Sequence, residues 1–153
     1  MGITIQSSYA EDYAKGFPGL VANGETSNRI SRTVEDAAGI AFGKAVFRGA
    51  GDHGVTATPA ANTFMGVTIA DVGVLPAIIG GDVDEYPQYA TAGILNEGCI
   101  YVTVGEDVTD GAAAYVTSGG AFVDTSTSNT AIPAVFDETV ASGGICRLRV
   151  RRS

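Results

Sequence analysis

Residues 98–124, GCIYVTVGEDVTDGAAAYVTSGGAFVD, constrain the fold most, because β-patterned runs alternate with turn residues and leave no room for a helix. Ile100, Val102 and Val104 alternate with Cys99, Tyr101 and Thr103, the period of two that sends one set to a core face. Gly105-Glu106-Asp107 and Thr109-Asp110-Gly111 then supply Asp and Gly where a tight turn needs them. Residues 112–117 read as a second strand, Ser118-Gly119-Gly120 as its turn, and residues 121–123 as the returning strand. Strands this short, with turn signals between them, predict a three-stranded meander inside an all-β fold: a single antiparallel β-barrel or sandwich.

The remaining β-patterned runs are residues 28–34, 39–47, 63–69, 74–79, 92–95, 132–136 and 145–150. The run 74–79 reads as buried, although Pro76 cannot donate to a ladder and pushes it to an edge or loop. A chain of 153 residues fits one domain large enough for a core without disulfides or metal. The expected organisation is an N-terminal arm over residues 1–28 and a β-barrel-like domain over residues 29–153. In the arm, Tyr9, Tyr13 and Phe17 recur every four residues before Pro18-Gly19. That spacing fits a short helix with an aromatic stripe, or an extended arm that orders by packing on another subunit.

Charge is segregated along the chain. The formal net charge is −8, yet no Lys or Arg occurs from residue 49 to residue 146. The bases lie outside that span: Lys15, Arg29, Arg32, Lys44 and Arg48 before it, and Arg147, Arg149, Arg151 and Arg152 after it. Such a body repels nucleic acid over most of its surface, and its acids also serve to keep a glycine-rich surface soluble. The N-terminus lacks a basic leader followed by an apolar core, and no run reaches the roughly 18 apolar residues of a membrane helix. A soluble protein made in the cytoplasm, with neither nucleic acid nor membrane as partner, is the expectation.

No constellation of residues suggests catalysis, and no cofactor or metal is expected. Residues 49–54, GAGDHG, match the GxGxxG pattern after a strand, but the β-branched, proline-broken VTATP that follows cannot open the helix a dinucleotide needs. A glycine-rich turn is the reading. His53, the single histidine, sits in that turn as an exposed residue. Asp82, Asp84 and Glu85 lack the spaced ligands and glycine of a calcium loop. Cys99 and Cys146 fall in apolar strand patterns and read as buried free thiols.

The C-terminal run ICRLRVRR alternates apolar residues with arginine. Cys146, Leu148 and Val150 can line the core while Arg147, Arg149 and Arg151 project together from the other face, with Arg152 beyond. Arginine pairs bidentately with carboxylates, so this ladder suits an acidic partner surface or acids of the same chain.

The series ISRTVEDAAGIAFGKAVFRGAG (residues 30–51), FMGVTIAD (64–71), YPQYATAGILNEGCIYVTVGEDVTDGAAAYV (86–116), GGAF (119–122) and GGICRLRV (143–150) resembles the structural cement, or capsid decoration, proteins of tailed bacteriophages. The resemblance implies a small β-barrel-like, non-enzymatic protein that sits as homotrimers on the outer surface of the capsid. Its partners would be the major capsid protein and itself, and Tyr9, Tyr13, Phe17, Arg147, Arg149, Arg151 and Arg152 are the candidate contacts. Two alternatives are a trimeric dUTPase-like jelly roll, whose AGxD-Y segment and glycine-rich C-terminal motif are missing, and a tail or baseplate module.

Overall fold

The computed structural model describes residues 15–76 and 81–151, and every element among them is a strand. In chain order these are β1 (Asn28–Val34), β2 (Ile40–Ala41), β3 (Ala45–Arg48), β4 (Gly54–Thr56), β5 (Phe64–Thr68) and β6 (Glu85–Tyr86). They are followed by β7 (Thr91–Thr103), β8 (Ala113–Val116), β9 (Phe122–Val123), β10 (Thr130–Phe136) and β11 (Ile145–Val150). The predicted all-β barrel is present. Five strands close in the order β1-β4-β3-β5-β7, because β7 also pairs with β1, with Ile30 opposite Ile94 and Thr33 opposite Thr91. The β1–β4 pair alone in this ring is parallel.

Alternation along the strands sorts the side chains into two cores. Val34, Val46, Val55 and Ile94 are fully buried inside the barrel. The opposite faces of β3, β5 and β7 bury Phe47, Val67 and Leu95 against a second sheet that supplies Phe122, Phe136 and Leu148. Each such side chain contributes about 1.5–3 kcal/mol by leaving water. The second sheet runs β7-β11-β10-β8-β9. Its far strand curls back: the Gly105 amide donates to the Phe122 carbonyl at 2.8 Å, beside the Val104–Phe122 bridge.

The thirteen-residue β7 joins the two halves, pairing with β1 over residues 91–97 and with β11 over residues 98–103. The sequence reading ends one run at residue 95 and begins the next stretch at residue 98; here residues 96–98 continue a single strand as it passes from barrel to second sheet. Residues 98–124 are therefore not a meander. Only β8 and β9 form a neighbouring hairpin, whereas β11 and β10 stand between β7 and β8. The run 39–47 is also interrupted. Gly43, at φ +69°, turns the chain between β2 and β3, and a Cβ there would lie 2.6 Å from the Gly19 nitrogen. Residues 74–76 are loop rather than buried strand, with Leu75 exposed, and residues 77–79 lie outside the described residues.

The described end of the predicted arm turns at Pro18-Gly19, where the Leu20 amide donates to the Phe17 carbonyl at 3.1 Å, and packs on β7 of its own chain. The Gly19 and Ala22 amides donate to the Tyr101 and Cys99 carbonyls, each at 2.8 Å, and the Tyr101 amide donates to Leu20 at 2.9 Å. This places residues 19–22 along the edge of β7 opposite β11.

Several acids, inside and outside the base-free span, fasten loops. The Glu35 carboxylate accepts from the Ala50 and Gly51 amides, both at 2.8 Å, so the amides of the GAGDHG turn are met from within the chain. Asp36 accepts from Thr56 Oγ1 at 2.6 Å and the Ala57 amide at 2.7 Å. Glu106 accepts from the Asp124 and Thr125 amides at 2.9 and 2.8 Å. Those bonds, the one from Thr125 foremost, hold the Glu106 carboxyl below its ordinary value of 4.5. A carboxyl depressed on folding stabilises the fold above its unfolded value and loses that contribution as pH falls through the folded one. Glu106→Gln is thus expected to lower the urea midpoint at pH 7, and the gap between the two proteins should shrink as pH falls below the ordinary value of 4.5 and close once it has passed the lower, folded value. A constant gap at every pH would show that the ionised form contributes nothing.

Cys99 and Cys146 are buried and free, as expected. They face Arg149 and Val102 across the β7–β11 pair rather than each other, and burial pushes the Cys146 thiol up to about 11.

Candidate functional site

A groove of about 700 Å³ opens where residues 17–18, residues 41–42, the loop over residues 70–76 and residues 83–84 meet. Its wall is Phe42, held edge-on to the buried Tyr86 ring at 5.1 Å, while the Tyr86 hydroxyl donates to the Ile69 carbonyl at 2.6 Å. Residues 70–76 and 83–84 are each tied by a hydrogen bond. The Gly73 amide donates to Asp71 Oδ1 at 2.8 Å, and the Phe42 amide to the Asp84 carbonyl at 3.0 Å. Around this wall stand Phe17 at 52% exposure, Leu75 at 80% and Val83 at 63%, with Val72 fully exposed. Large apolar side chains gathered on one exposed face mark a contact surface, because water is excluded only when something covers them. The charged groups lining the groove are acids, Asp71 and Asp84.

Phe17 is held there by its own segment. Gly19 reaches over the Gly43 turn, and the Ala70 amide donates to the Gly19 carbonyl at 2.8 Å, which holds Phe17 and Pro18 as one side of the groove. Charge then fixes the flanks of that segment to β11 and the turn before it. Lys15 Nζ lies 3.1 Å from Glu138 Oε2, and Arg147 Nε lies 2.9 Å from Glu138 Oε1. Arg149 reaches Glu25 at 2.7 Å and Asp137 at 3.2 Å. The Arg149 hydrogen bond holds the Glu25 carboxyl below its ordinary value.

Of the candidate contacts named from sequence, Phe17 lines the groove and Arg147 and Arg149 face acids of their own chain. Arg151 is exposed, its amide donating to the Pro133 carbonyl at 2.8 Å. Tyr9, Tyr13 and Arg152 lie outside the described residues. His53 is exposed in its glycine turn. Sequence reading missed Val72, Leu75 and Val83. Leu75 sits in an apolar run carrying Pro76 that reads equally well as a buried strand, and Val72 and Val83 are single apolar residues near its flanking glycines, with no signal of their own.

Arg149→Ala is expected to loosen residues 15–25 without unfolding the barrel, since exposed ion pairs add little to global stability. Trypsin should then cut after Lys15 several-fold faster, with a smaller difference from wild type in high salt. Unchanged cleavage would mean that backbone pairing with β7 alone holds the segment.

The barrel thus carries an exposed apolar groove beside a segment fastened by backbone bonds and ion pairs. The family model described as "Structural cement protein (E217 gp24/Pam3 gp6)" matches residues 5–151, and the chain belongs to that family. Among solved structures, a chain from the capsid of Myoviridae phage XM1 has a similar fold, with a TM-score of 0.67 at 20% identity over 96% of this chain and 97% of that one. No curated protein matches the sequence. The chain is accordingly a capsid-associated structural protein of a phage virion.

Proposed function

We propose that this protein is a non-enzymatic cement that binds as homotrimers on the outside of a phage head and clamps adjacent subunits of the major capsid protein. The observation that carries this reading is the exposed apolar groove on a chain that belongs to the cement family. Phe17, Val72, Leu75 and Val83 provide the apolar contact with the shell. Arg147 and Arg149 act behind it, holding the segment that presents Phe17, and Arg151 remains available for an acid on a neighbouring subunit. Exposed ion pairs contribute roughly 0–1 kcal/mol each, so the apolar face and the repetition of sites on a lattice supply most of the binding.

The test is to mix purified protein with phage heads assembled without it and to follow co-sedimentation, cross-linked species and the temperature at which heads open. Saturable binding, trimeric cross-links on the shell and a higher opening temperature are expected. Binding to tails, monomers spaced singly on the shell, or no change in opening temperature would each contradict the proposal.

A further inference from the structure

A second site lies on the barrel itself, away from the groove. The three-residue β4 covers only the end of β1, with Thr33 opposite Gly54 and Val34 opposite Val55. The earlier inward positions of β1, Asn28, Ile30 and Arg32, are left without that neighbour. They line an open mouth of about 250 Å³ together with Arg48 at the end of β3, Asn62 and Asn96. The floor is fastened: Asn28 Nδ2 donates to Asn96 Oδ1 at 3.3 Å, and Asn96 Nδ2 donates to the Met65 carbonyl at 2.9 Å. The lining contains no acid, in a chain whose formal charge is −8. Among the described residues, neither Arg32 nor Arg48 forms an ion pair, and the one side-chain bond between them is from Arg32 to the Ser31 carbonyl at 2.9 Å. Each guanidinium carries five donors, so most of that capacity is unspent.

We infer that this mouth is a carboxylate-binding site that receives an Asp or Glu side chain from an acidic segment of a protein partner. Two arginine forks match the planar, bidentate geometry of a carboxylate, and the Asn62 amide at the rim can add a hydrogen bond. The mouth has room for one side chain and its neighbours. A nucleic acid would have to bring further phosphates against the acidic remainder of the body. Asn62, at φ +61°, holds the rim in a left-handed conformation that Asn and Asp tolerate.

The test uses the full chain alone, so its outcome is separate from that of the shell-binding proposal. Amide NMR spectra are recorded while titrating the acetylated, amidated tripeptide Gly-Glu-Gly, its Gly-Gln-Gly counterpart, and inorganic phosphate. Saturable shifts centred on Arg32, Arg48, Asn62 and Asn96 are expected with the Glu peptide and not with the Gln peptide. Arg48→Gln should weaken binding roughly tenfold. Asn62→Asp should abolish it, because the new carboxylate occupies the arginines while the left-handed backbone is kept. Equal binding of the Gln peptide, shifts centred elsewhere, tighter binding of phosphate than of the Glu peptide, or full binding by Asn62→Asp would each overturn the inference.

Discussion

Gly66→Ala is expected to lose about 4 kcal/mol of stability, a large share of what a domain of this size possesses. Gly66 sits at φ +142°, where the β3–β5 register shifts between Val46 and Phe47. A Cβ at that position would run into the Leu95 carbonyl oxygen on β7 and come within 2.6 Å of Ile94 Cγ2. Those neighbours are backbone and a fully buried side chain, so neither can step aside without parting β5 from β7. The backbone conformation costs about 1–3 kcal/mol for a residue with a side chain, and the overlap a comparable amount. Urea unfolding followed by fluorescence or circular dichroism measures the loss. A midpoint within error of wild type would mean that the bulge, and with it the closure of the barrel through β5, is misassigned.

That closure was only partly legible in the sequence. The alternation in residues 145–150 is clean because Cys146, Leu148 and Val150 are buried, and residues 28–34 also form a strand where expected, although Val34 alone of its inward positions is buried. The run 39–47 misled because both of its faces are apolar; what divides it is Gly43, whose left-handed turn is dictated by the close approach of Gly19, more than twenty residues away in the chain. Residues 98–124 suggested a meander because consecutive strands usually pair. The insertion of β10 and β11 between β7 and β8 depends on contacts formed only after the C-terminus has arrived. The arginine ladder had the right faces but an unreadable destination, since Glu25, Asp137 and Glu138 reach it through tertiary structure. At the groove, a short apolar run carries no mark that tells a buried strand from an exposed contact loop.

The second large effect concerns that loop. Leu75→Asp combined with Val83→Asp is expected to reduce binding to heads on the order of a hundredfold while leaving the fold intact. Both side chains are more than half exposed, so the isolated protein loses little when they become polar. On a shell that covers them, each would forfeit roughly 1.5–3 kcal/mol of apolar burial and place a charge in a dry contact. Phe17→Ala should act in the same direction with a smaller effect. Co-sedimentation with undecorated heads across a range of protein concentrations gives the shift. Wild-type occupancy by a double variant that keeps its wild-type urea midpoint would remove the groove from the binding face.

The most direct measurement is a cryo-electron microscopy reconstruction of heads decorated with this protein, at a resolution that traces β7 and the loop carrying Leu75. Trimers on the outer surface, with Phe17, Val72, Leu75 and Val83 covered by major capsid subunits and Arg149 still on Glu25, are the expected result. Density on the tail, or on the head with the groove turned to solvent, would contradict the account.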